Sequence, residues 1–115
     1  VTPRAILNIN RASMASTGFS PPTRLFEVAG AGACLITDAW DGIEMFLTPG
    51  TEVLVARDGS DVVDLMQNLS AARAAEIGRA AHRRILAEHT YDKRAAALNR
   101  VLRDALAAKR EVLVA

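Results

Sequence analysis

The order of segments along this chain predicts an α/β fold: a Rossmann-like partial domain of about three parallel strands, followed by a helical C-terminal part. Three observations carry that reading. Short apolar runs at 5–9, 33–37 and 52–56 alternate with turn-rich or helix-patterned segments. In the middle run Cys34, Leu35 and Ile36 follow one another without polar alternation, as a strand covered on both faces requires. Beyond Ser60 the apolar residues recur only at helical spacing.

The elements follow in order. Residues 5–9 read as a strand. Residues 10–23 are polar and carry Gly18, Pro21 and Pro22, so they read as a loop with one helical turn at 12–16. Ser20 is placed to cap a helix over 24–29, with the prolines tolerated in its first turn. Glu27 then falls about one turn inside, where a carboxylate still feels the N-terminal dipole. Gly30 and Gly32 stop the helix. After the strand at 33–37 come a turn at 38–42, a short helix at 43–47 and the Pro49-Gly50 turn. The third strand is 52–56. Asp58-Gly59-Ser60 breaks the chain, with Ser60 as N-cap. Three apolar helix faces follow: Val62, Leu65, Met66 and Leu69; Ala74, Ile77, Ala81 and Ile85; Leu98, Val101, Leu102, Ala105 and Leu106. Thr90 separates the last two helices and caps the final one. The organisation expected is a β/α part over 1–57 and a helical part over 58–115.

Composition narrows the classes. With 115 residues the chain is one domain by length, and half of it is hydrophobic. A single cysteine excludes an internal disulfide, and Cys34 at the head of an apolar run reads as a buried free thiol. No apolar stretch reaches the length of a membrane span and no signal peptide is visible, so the expected location is cytoplasmic. The net charge of +1 hides an asymmetry: Lys and Arg against Asp and Glu count 4 to 8 up to Ser70 and 10 to 5 after it. The basic second half suits a solvated helix face, or an anionic partner such as a membrane surface approached peripherally.

Four groups of residues bear on chemistry. Glu27 offers two adjacent acceptor oxygens to a ligand, or merely complements the helix dipole. Arg11 and Arg24 suit an anionic group held through paired hydrogen bonds, or are surface arginines. The backbone of Gly18-Phe19-Ser20 enters a helix and could cradle phosphate oxygens, or form an ordinary turn. Asp38, Asp41 and Glu44 are oxygen ligands in kind, but a turn and a short helix do not promise convergence on a metal. Gly30-x-Gly32 lies after a helix and before a strand, the reverse of a dinucleotide fingerprint. Trp40 is read as stacking near a base or covering a crevice. His82 and His89 have no partner at ligand spacing.

Several pieces of the chain, in this order and spacing, resemble a known family. They are Leu7-Asn8-Ile9 with Arg11 and Ser13-Met14, Gly18-Phe19-Ser20, Arg24-x-Phe26-Glu27, Gly32-Ala33 and Thr37-Asp38. Gly42-Ile43-Glu44, Phe46, Pro49-Gly50-x-Glu52 and His89-Thr90-Tyr91 with Arg94 continue the match. The stretch resembles the C-terminal, nucleotide-sugar-binding part of GT-B glycosyltransferases (glycosyl transferases group 1), in the branch that includes the spore-maturation CgeB-like proteins. The resemblance implies that Glu27 binds the ribose of a nucleotide-sugar donor. Many relatives carry another glutamate eight residues earlier; here that position is Phe19, which leaves Glu27 as the one acidic residue carried over. Arg11, Gly18, Phe19, Ser20 and Arg24 complete the expected donor-binding set. It further implies no metal; no cofactor and no nucleic-acid partner are expected. His89 is expected to pack at a helix junction. The catalytic residues, unknown here, are expected in an N-terminal domain of a longer parent, absent from this fragment, so the chain alone should be inactive and could form homo-oligomers. The rival reading is a non-catalytic helix-rich module binding a protein partner or an anionic surface.

Overall fold

The computed structural model describes residues 2–114. Its elements are β1 (Ile6–Asn8), α1 (Ala12–Thr17), α2 (Thr23–Gly30), β2 (Leu35–Asp38), a 3₁₀ turn (Ile43–Met45), β3 (Leu54–Ala56), α3 (Gly59–Asn68), α4 (Ala71–Glu88) and α5 (Tyr91–Val114). The three strands form one sheet in the order β1-β2-β3, and both pairings are parallel. The expected α/β fold with a helical C-terminal part is the one observed.

All three strands are shorter than the apolar runs that announce them. Pairing runs only from Ile6 opposite Leu35 to Asn8 opposite Thr37, and from Ile36 opposite Leu54 to Asp38 opposite Ala56. Ile9, expected at the end of the first strand, is 71% exposed and unpaired. Only β2 is sandwiched: Leu35, Ile36 and Thr37 are all buried.

Two helix starts differ from expectation. α2 begins at Thr23 with Pro22 as its N-cap, and no side chain caps it. A residue before proline is pushed out of the helical region, so Ser20 and Pro21 both stay extended and the helix waits for the second proline to pass. α3 begins at Gly59 and is capped by Asp58, whose carboxylate accepts from the Asp61 N–H at 2.8 Å. Ser60 lies already inside the helix. Ser70 caps α4 through the Arg73 N–H, and Thr90 Oγ1 accepts from the Lys93 N–H at the head of α5.

Alternation along β2 divides the core. Leu35 faces a large cluster with Leu25, Val28 and Ala29 of α2, Trp40, Phe46, Leu47 and Val53, closed by Ala81 and Ile85 of α4. Cys34 faces a smaller cluster with Leu69, Ala74 and Ile77. Burial pushes the Cys34 thiol up, against a smaller opposing pull from Arg73, so it stays protonated and inert. The expected inner face of α4 is thus fully used. That of α5 is not: none of its residues is buried, and Leu98, Val101, Leu102 and Leu106 are each at least half exposed. No helix among the described residues is long and apolar enough to cross a membrane.

Candidate functional site

The carboxyl ends of the parallel strands converge on loops that are tied to one another. The Asn10 N–H donates to Asp38 Oδ1 at 3.1 Å, which links the exit of β1 to the end of β2. The Phe19 N–H donates to the Asp41 carbonyl at 2.6 Å. Two glycines make this approach feasible. A Cβ on Gly18 would stand 2.9 Å from the Asp41 Cβ, and Gly18 has φ +70° with ψ 170°, a region essentially reserved for glycine. The ring of Phe19 occupies the space a Cβ on Gly42 would need. Phe19 itself has φ +53°, strained for a bulky side chain, and is 64% exposed.

This geometry corrects the expected phosphate cradle. The Gly18 N–H is bonded to the Met14 carbonyl and the Phe19 N–H to Asp41, so neither points at a ligand. The Ser20 N–H and those of Thr23 and Arg24 in the first turn of α2 have no partner among the described residues. Those three donors, at the positive end of a helix without a side-chain cap, are the ones open to an anion.

Behind that end lies a pocket of about 530 Å³, lined by Thr23, Phe26 and Glu27 of α2 and by His89, Thr90, Tyr91 and Arg94 at the α4–α5 junction. Glu27 is the fifth residue of α2, beyond its first turn. Its carboxylate makes no ion pair or hydrogen bond among the described residues, whose ion pairs all use other acids. The floor is aromatic. Phe26 meets Phe46 edge-on at 5.9 Å, and His89 packs 6.1 Å from Phe26 and 5.7 Å from Phe46. His89 Nε2 lies 3.1 Å from the Phe46 carbonyl oxygen, which can only accept, so that nitrogen carries the proton. Burial lowers the His89 pKa, helped by Arg94 and Arg84 and opposed by Glu88 and the Phe46 hydrogen bond.

Of the six residues singled out from sequence, only Glu27 lines this pocket. Arg11 is the N-cap of α1 at the exit of β1, and Arg24 is the second residue of α2; both are exposed and without ion pairs among the described residues. Gly18, Phe19 and Ser20 form the loop between them. Trp40 does not stack in a crevice; it is buried and tilts against Phe46 at 6.2 Å. Asp38, Asp41 and Glu44 do not converge, and no group of three metal-binding side chains occurs among the described residues. What sequence reasoning missed is the meeting of Phe26-Glu27 with His89-Thr90-Tyr91 and Arg94. Both pieces belonged to the family resemblance, but no spacing rule connects segments so far apart.

A parallel sheet with its pocket beside α2, between β1 and β2 in the chain, gives an α/β domain of partial Rossmann-like character. A family model described as "Glycosyl transferase-like" matches residues 2–100, and the chain belongs to that family. No curated protein and no solved structure matches it.

Proposed function

We propose that the chain binds the nucleotide-diphosphate sugar for a glycosyltransferase of the GT-B, CgeB-like kind, which moves the sugar to an acceptor. The observation that carries this is a carboxylate, Glu27, unpaired among the described residues, in a pocket next to the N-terminus of α2, which no side chain among them caps. Glu27 accepts the two ribose hydroxyls through its adjacent oxygens. The free N–H groups at the head of α2 face the diphosphate, and Arg24 and Arg11 add cations on the same side of the sheet. When the bond from the sugar's anomeric carbon to the diphosphate breaks, its electron pair stays on the phosphate oxygen. Donors aimed at that oxygen stabilise the charge as it grows. Gly18 and Gly42 serve by letting two loops close up, which fixes Phe19 and Ser20 where α2 begins.

A second reading has one observation in its favour: the uncovered apolar face of α5 suits a protein-binding module. Donor binding separates the two. Calorimetry of the full chain against a panel of nucleoside diphosphates should find one that binds. Glu27→Ala should then cost about 1.5–3 kcal/mol for a charged hydrogen-bond partner. Equal affinity of wild type and Glu27→Ala removes the ribose role.

A further inference from the structure

The pocket that holds Glu27 has a second charged wall. Arg94 enters it from the first turns of α5. Its Nη2 donates to His89 Nδ1 at 3.1 Å. Its guanidinium carbon stands 5.7 Å from the centre of the Phe26 ring and 5.6 Å from that of Phe46. These contacts interlock. The Phe46 carbonyl takes the proton of His89 Nε2, which leaves Nδ1 as an acceptor and turns it toward Arg94. Two rings and one imidazole therefore hold the guanidinium in a single place.

Arg94 is exposed at the edge of the pocket, so its remaining donors are accessible to a ligand. A guanidinium has five N–H donors, and only one contact is made to an acceptor among the described residues. No ion pair among the described residues involves Arg94, although Glu27 lines the same pocket. A fixed cation and a separate unpaired carboxylate thus share about 530 Å³. A ligand with phosphate at one end and vicinal hydroxyls at the other satisfies both at once. Arg11 and Arg24 do not line this space.

We propose that Arg94 binds the phosphate oxygens of the ligand whose ribose hydroxyls Glu27 accepts, with His89, Phe26 and Phe46 as its positioning residues. The proposal rests on the donor-site reading of Glu27. Arginine suits the task because its planar fork meets two phosphate oxygens together, and because a side chain already held loses little freedom on binding.

The test is calorimetry on the full chain with a nucleoside, its monophosphate and its diphosphate. Wild type should gain affinity with each phosphate. Arg94→Ala should leave nucleoside affinity unchanged and lower diphosphate affinity about 10–100-fold. Glu27→Ala should weaken all three. Unchanged nucleoside binding also certifies that the pocket is intact. Arg94→Gln keeps a donor for His89 Nδ1 while removing the charge, and covers the case in which the alanine variant does not fold. A phosphate increment undiminished by Arg94→Gln or Arg94→Ala overturns the assignment while leaving Glu27 in place. So does equal weakening of nucleoside and diphosphate. If wild type takes none of the three, the donor-site reading itself fails, and Arg94's role with it.

Discussion

Gly78→Ala should destabilise the fold, although Gly78 lies inside α4, where alanine is ordinarily the better residue by about 1 kcal/mol. α2 and α4 pack against each other, and Gly78 sits where the turn after α2 presses on α4. A Cβ there would run into the Gly32 carbonyl oxygen and stand 2.9 Å from the Gly32 carbonyl carbon and 3.0 Å from that of Ala33. Carbon atoms prefer about 3.5–4.0 Å, so one backbone must retreat by roughly 0.5–1 Å. The turn cannot do so cheaply. Its Gly32 N–H is bonded to the Ala29 carbonyl at 3.0 Å and its Ala33 N–H to Val28 at 3.1 Å, and it leads directly into β2. Overpacking costs about 1–3 kcal/mol where side chains can adjust, and contact with backbone puts this site at the upper end. After the propensity gain, about 2 kcal/mol of net loss remains. Each kcal/mol moves the Tm of a domain near this size by about 4–8 °C, so a fall of roughly 8–16 °C is expected. Thermal and urea unfolding followed by far-UV circular dichroism measure it. Gly30→Ala is the matched control: nothing lies within 4 Å of its Cβ position in α2, so it should gain about 0.5–1 kcal/mol. Gly78→Ala as stable as wild type, or both variants moving the same way, would refute the reasoning.

Two further outcomes are expected. The folded-state pKa of His89 lies below its ordinary 6.5, so the unfolded chain takes up that proton first. The His89 contribution is therefore full above about pH 6.5 and is lost as pH falls through the lowered value. Urea midpoints from pH 8 to 5 should drop more for wild type than for His89→Gln, and equal drops would sink the idea. The isolated chain should also self-associate. β1 is an edge strand with Leu7 and Ile9 exposed, and α5 shows an uncovered apolar face. Light scattering over a concentration series decides this, and a monomer at high concentration would mean that neither surface recruits a partner.

Local pattern decided the elements. The β/α alternation, the buried middle strand, the inner face of α4 and the Thr90 cap are all visible as residue spacing, because periodicity and capping depend only on near neighbours. The place of Glu27 on α2 was legible in the same way, as one acid in a helix after a glycine- and proline-bearing loop. Tertiary structure decided the rest. Whether Trp40 stacks on a ligand or fills the core depends on which elements close over it. Whether Phe19 offers its N–H group depends on Asp41, which reaches it across a loop crossing. The pocket itself exists because α4 packs on α2, so that the α4–α5 junction delivers His89 and Arg94 to Phe26 and Glu27. Gly78 carries no signal of its own in the sequence, because a glycine inside a helix declares its purpose only when the backbone it admits is in place. Periodicity names the face a residue lies on; only packing names what that face meets.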